Sequence, residues 1–225
     1  YTRILENQQS FQPYFNQFIT KYKAIPQNGF YKNYNSNVIG NLSGYDFLNT
    51  VAYVTAPISK SINVEFGHGN HFIGNGYRSL LLSNFTNNYF YLKFNTKVWK
   101  LHYRNIFAEL SGESANFSNG DQLLPKKYMA THYLSIKPWS NFELGIFESV
   151  VFNRANQFEF QYLNPVIFYR TVEQFIGSPD NALLGLNANL NLGNRVQLYG
   201  QLVLDEFNLG LLKQAGWWGN KYGVQ

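Results

Sequence analysis

The sequence predicts an all-β fold, an up-and-down antiparallel transmembrane β-barrel, and three observations carry that expectation. Residues alternate apolar and polar, most clearly where Ala182, Leu184, Leu186, Ala188, Leu190 and Leu192 interleave with Asn181, Gly185, Asn187, Asn189 and Asn191. A period of two is a strand pattern, because successive side chains point to opposite faces. Short turns and long loops alternate along the chain, as in bacterial outer-membrane barrels. Charged residues make up 14% and aromatics 18%, with 17 Tyr and 20 Phe, whereas soluble domains average about 25% charge. The polar face is rich in amides, which suits lipid outside and water inside.

Taken in order, strands are expected near 1–6, 46–57, 60–69, 88–99, 100–111, 126–136, 141–152, 181–192, 195–206 and 217–225. Tight turns punctuate them at Pro57-Ile58-Ser59-Lys60, Trp99-Lys100, Pro138-Trp139-Ser140-Asn141 and Leu192-Gly193-Asn194-Arg195. Long loops fall at 7–45, 69–87, 112–125, 153–180 and 207–216, so turn and loop alternate without exception. Return strands share a local form in Ser61 to Gly67, Asn141 to Gly145 and Arg195 to Gly200, one hairpin solution used repeatedly. Lys60, Lys97, Lys100, Lys137 and Arg195 gather at the turns, while Glu109, Glu113, Glu148, Glu173, Asp205 and Glu206 lie toward the loops. Trp99 and Trp139 mark the turn side, and Tyr89, Phe90, Tyr91, Trp217 and Trp218 the loop side, as two interfacial girdles would. Val172 to Ile176, bounded by Pro165 and Pro179, reads as a short helix within a long loop.

No stretch approaches the roughly 18 apolar residues of a membrane helix. The chain starts at Tyr1, its first strand has no earlier partner, and its last pattern stops at Gln225. The expectation is one barrel domain over 1–225, incomplete at both ends and forming an arc of a larger barrel. There is no cysteine, which excludes disulfides and Cys-based metal sites. The net charge of +5 is dispersed, and no nucleic-acid partner is expected.

Specific segments go further. Phe66-Gly67-His68-Gly69-Asn70-His71-Phe72-Ile73-Gly74-Asn75-Gly76-Tyr77-Arg78-Ser79-Leu80-Leu81-Leu82-Ser83 resembles a segment of Bacteroidota outer-membrane proteins of the RemB gliding-motility type, within the Wzi-like capsule-assembly group. The likeness continues through Tyr162 to Arg170, Gly177 to Leu186, Leu198 to Phe207 and Gly216 to Gly223, in order along nearly the whole chain. It implies a large monomeric barrel in the cell outer membrane, longer at both ends than this chain. For Wzi-type proteins it also implies a surface lectin that holds capsular polysaccharide. No sugar-binding residue is carried over.

The candidate ligand-binding residues lie in loops or lumen: His68, His71, Tyr77, Arg78, Glu148, Tyr169, Arg170, Asp205 and Glu206. Gly67, Gly69, Gly74 and Gly76 let the first loop fold over the mouth or into the lumen. His68 and His71 are two metal-type ligands without a third, so neither metal nor cofactor is expected. Arg78, Glu148, Arg170, Glu173, Asp205 and Glu206 are expected to meet in the lumen as a charge network. A hydrolase could draw on Ser79 or Ser149, His68 or His132, and Asp205, but no spacing ties a nucleophile to a base. Loop-side aromatics, Tyr77, Tyr169, Trp217 and Trp218, offer faces on which sugars stack. The reading is a non-enzymatic outer-membrane surface protein of gliding or capsule attachment, with lipid, surface polysaccharide or an envelope complex as partners. The alternatives are a subunit of a secretion or gliding assembly and an outer-membrane hydrolase.

Overall fold

The computed structural model describes residues 1–10, 24–25, 29–36, 42–111, 125–154, 157–166, 169, 172, 177, 180–193, 195–205 and 221–225, with the backbone alone within 5–47. Among these, the chain is all-β, a single twelve-stranded sheet with almost no helix. The strands are β1 (Thr2–Ser10), β2 (Ala24–Ile25), β3 (Gly29–Ser36), β4 (Leu42–Pro57), β5 (Ile62–Gly69) and β6 (Tyr89–Val98). They continue as β7 (Leu101–Ser111), β8 (Lys126–Trp139), β9 (Phe142–Phe152), β10 (Asn181–Leu192), β11 (Val196–Asp205) and β12 (Lys221–Val224). From β2 to β12 each strand pairs antiparallel with the next, the up-and-down order the turns predict. The sheet is not closed, since β12 pairs only with β11 and β1 only with β4 among the described residues.

All four tight turns form where expected. Trp99 and Lys100 join β6 to β7 in two residues, with Val98 paired to Leu101 and Trp99 at φ 53°. Such a two-residue hairpin needs positive φ, usually supplied by Asn or Gly. At the β4–β5 turn, Ser59 Oγ accepts from the amides of Ser61 at 3.2 Å and Ile62 at 3.1 Å.

One expected loop is corrected. Segment 7–45 contains the end of β1, all of β2 and β3, and the start of β4. The reason is an accounting of backbone groups. β5 pairs with Ala52–Pro57 of β4, and β1 pairs with β4 along Gly44–Ala52. Both meet Ala52, so they occupy opposite edges of β4. β3 pairs along Leu42–Leu48, overlapping β1, and therefore lies on the β5 edge beyond the end of β5. Without it that half of β4 would leave its amides and carbonyls bare.

Cross-strand register sorts the side chains into two faces. One, the inner face, carries buried amides and hydroxyls, including Asn187 and Thr131, both fully buried. The other, the outer face, exposes Val54 at 73%, Phe66 at 59%, Phe90 at 56% and Leu198 at 53%. That inverts the usual preference for apolar residues inside.

Each face carries its own covering segment and its own apolar cluster. On the inner face, Ile73 and Leu81 of the β5–β6 connection pack with Tyr91, Ile106, Met129 and Phe147. On the outer face, Tyr162 and Tyr169 of the β9–β10 connection pack with Phe107, Ala130, Val150 and Phe152. Within that second connection Phe160–Leu163 form a 3-10 turn. Tyr169 and Val172 are helical, and the rest of the expected 172–176 helix lies outside the described residues.

Candidate functional site

The sequence-predicted site divides between the two faces. His71, Tyr77 and Arg78 sit on the inner covering segment, which crosses the sheet from β6 to β11. His71 meets Lys93 of β6 at 3.3 Å, the Phe72 carbonyl accepts from Arg104 of β7 at 3.4 Å, and Asn75 donates to Asn187 of β10 at 3.2 Å. On a flat sheet β6 and β11 would stand about 24 Å apart, whereas five residues extend about 17 Å. The side chains of Lys93, Arg104 and Gln201, reaching from the strands, make up the difference.

Gln201 of β11 anchors the far end. Its Oε1 accepts from the Leu80 amide at 2.9 Å, and its Nε2 donates to Ser79 Oγ at 3.1 Å and Asn187 Oδ1 at 3.2 Å. Ser79 Oγ in turn donates to the Ile73 carbonyl. Gly74 lies at φ +116° with the Gln201 amide and the Ser79 hydroxyl where a Cβ would stand, so this crossing requires glycine.

At the near end, Glu65 Oε1 accepts from the Tyr91 hydroxyl and from Lys93 Nζ, both at 2.6 Å. A lysine ammonium can only donate, so His71 Nε2 is the unprotonated nitrogen and Nδ1 carries the hydrogen toward the Tyr89 hydroxyl, 3.4 Å away. Burial, then the nearby Lys93 charge, lowers the His71 pKa to about 4, with Glu65 opposing in part. His71 is thus neutral near pH 7.

Tyr77 is 89% exposed and Arg78 is exposed beside it. The Arg78 guanidinium carbon lies 4.2 Å from the Phe85 ring centre and 5.8 Å from that of Tyr77. This cation between two rings contrasts with the acid partner expected for Arg78 from the sequence.

The expected charge network across the lumen is corrected. Glu148 pairs in register with Leu184 and His132 and lies on the outer face, whereas Asp205 pairs with Leu183 and lies on the inner face. Arg170, Glu173 and Glu206 lie outside the described residues. Asp205 Oδ1 is buried without a hydrogen-bond partner among the described residues.

Glu148 belongs instead to a polar cluster beneath the outer segment. His132 is fully buried, with the Tyr169 hydroxyl 2.7 Å from Nε2, a stacked Tyr169 ring, and Glu148 Oε2 3.9 Å from Nδ1. The Pro165 carbonyl accepts from the Tyr103 hydroxyl at 2.7 Å, so the segment reaches well toward the turn end of β7. Its base is clamped where Arg154 donates to both Asp180 oxygens at 2.8 and 2.7 Å and the Tyr162 hydroxyl donates to Oδ2 at 2.7 Å.

His68 belongs to neither group. It projects from the outer face, its ring tilted against that of Phe90, with Nδ1 2.9 Å from the Thr50 carbonyl. His68 and His71 therefore point from opposite faces, and no cluster of three or more metal-type ligands occurs among the described residues. Ser79 and Ser149 lie on the inner side, with His68 and His132 on the outer, so none of these serines meets either histidine.

Residues that sequence reading did not single out include Lys93, Glu65, Arg104, Asn187 and Gln201. Strand parity held the signal. Lys93, Asn95 and Lys97 alternate with Leu92, Phe94, Thr96 and Val98, so they share the polar face of β6. Comparison of the chain with protein-family models, with curated proteins and with solved structures finds no match.

Proposed function

We propose that the chain is an arc of an outer-membrane β-barrel, a non-enzymatic surface protein of the RemB-type and Wzi-like kind, whose loop side engages surface polysaccharide. The observation that carries the reading is the inverted burial of the sheet, with exposed Val54, Phe66, Phe90 and Leu198 on one face and buried Asn187 and Gln201 on the other. In water such a face would be a large aggregation liability. In a bilayer it is the lipid-facing surface, and the amide face lines a wet interior. Trp99 and Trp139, 75% and 66% exposed at the turn side, suit an interfacial girdle. Tyr77, Arg78 and Phe85 supply a flat cationic surface of the sort that stacks on sugar rings.

The test has two arms. The full-length protein expressed in a Gram-negative host should partition with outer membranes and migrate faster in SDS gels unheated than boiled; recovery in the soluble fraction would refute the membrane reading. Binding of the detergent-purified protein to the producing cell's own surface polysaccharide should weaken on Tyr77→Ala, and absence of any polysaccharide binding would refute the ligand reading.

A second reading, a subunit of an envelope assembly, is favoured by the outer covering segment. Phe160, Leu163 and Val166 face outward there on irregular backbone, with Phe160 78% exposed. Irregular backbone at membrane depth is tolerated where protein covers it, not lipid. Stoichiometric co-purification of a partner cross-linked through position 160 would support this reading, and an isolated monomer in native membranes would count against it.

A further inference from the structure

Toward the tight turns, below the inner segment, the inner face of β6 to β8 collects Lys93, Lys97, His102, Arg104 and Lys137. Two of these cations are neutralised, Lys93 by Glu65 at 2.6 Å and Lys137 by Glu143 at 3.0 Å. Lys97 and Arg104 have no carboxylate at ion-pair distance among the described residues.

Register brings these two together. Asn95 pairs with Arg104 and Lys97 with His102, so Arg104 and Lys97 are diagonal neighbours on one face, a separation of roughly 7–8 Å between their strand positions. Their long side chains can converge on an atom group between them. Arg104 is held in place by two contacts: Nε donates to Asn95 Oδ1 at 3.3 Å and Nη1 to the Phe72 carbonyl at 3.4 Å. The guanidinium is a rigid fork with further donors, and those on Nη2 take no part in these bonds. Two adjacent cations without an ion-pair partner repel each other. An oxyanion seated between them removes that repulsion and takes charge-assisted hydrogen bonds from both.

We propose that the turn-side inner face of β6–β8 is a binding site for a phosphate-class oxyanion, with Arg104 as the forked donor, Lys97 as the second cation and His102 beside them. The site is built by the sheet and the Phe72 carbonyl of the inner segment, so it does not depend on the membrane or polysaccharide reading. A phosphate carried on a sugar and free phosphate share the required chemistry.

Isothermal titration of the purified full chain with inorganic phosphate at low ionic strength tests it, with a phosphorylated monosaccharide as a second arm. Saturable binding is expected, weakening as salt is added. Lys97→Gln should weaken it roughly tenfold, the worth of one charge-assisted bond, and Arg104→Gln should abolish it. Lys97 is exposed and in no ion pair among the described residues, so its variant keeps the test valid if Arg104→Gln fails to fold. Lys60→Gln, in the exposed β4–β5 turn, should leave affinity unchanged. No saturable binding to either probe, or an equal loss in Lys60→Gln and Lys97→Gln, would overturn the site in favour of diffuse charge attraction. Tighter binding of the sugar phosphate would show a site that also reads the sugar, and equal binding a site for the phosphate alone.

Discussion

Gln201 joins three polar groups through its carboxamide: the Leu80 amide, Ser79 and Asn187. Gln201→Leu keeps bulk but removes the acceptor of the Leu80 amide and one bond each from Ser79 and Asn187, and should destabilise by about 1–3 kcal/mol. The loss is measured by denaturant titration of the folded protein. His71 gives a pH dependence of known sign. Its pKa falls from 6.5 to about 4 on folding, so the unfolded chain binds the extra proton between those values. Stability is full above about pH 6.5 and declines as pH falls toward 4, by a few kcal/mol at most. The groups facing His71 are Glu65, Lys93, Arg104, Tyr89 and Tyr91. Hydrogen exchange in the 71–82 segment should accelerate over that interval, and His71→Gln should flatten the response. The glycines of this segment were readable as loop-forming from the sequence. Their partners were not, because Gln201 lies over a hundred residues away and meets Ser79 only once the strands are paired in order.

The two covering segments differ in how they are held. The inner one is sewn down by amides along its length, whereas the outer one is clamped at its base by Arg154, Asp180 and Tyr162. Asp180→Asn removes the charge that Arg154 grips with both nitrogens, and should cost roughly 2–4 kcal/mol of local stability, near the range for breaking a mostly buried ion pair. Limited proteolysis should then cut within 155–179 while β6 to β9 stay protected. Strand order and the four tight turns were legible because each is a local pattern. β3 was not, since Phe30 to Ser36 pair with β4 to satisfy backbone groups and carry no strong alternation of their own. The outer placement of Glu148 and His132 was legible in principle. Glu148 shares parity with Leu144, Ile146 and Val150, and His132 with Ala130, Leu134 and Ile136, which are outer-face positions.

At the scale of the molecule, the inverted faces make a prediction that separates bilayer from water. Leu186 lies mid-strand on the outer face, 46% exposed. Leu186→Arg should cost about 2–4 kcal/mol in a bilayer, the penalty for a cation at its midplane, and almost nothing on a water-facing strand. Folding yield into lipid vesicles against urea concentration measures the difference. The sequence by itself determined the class and the rhythm: antiparallel strands, tight turns at one end, long connections at the other, and an apolar face opposite an amide face. Those are consequences of period-two geometry and turn chemistry, which act over a few residues. Only the tertiary structure decided which connection lies on which face, with Ile73 and Leu81 against the inner amides and Tyr162 and Tyr169 against the outer His132 and Glu148. That choice depends on contacts between residues distant in sequence, and no local pattern encodes them.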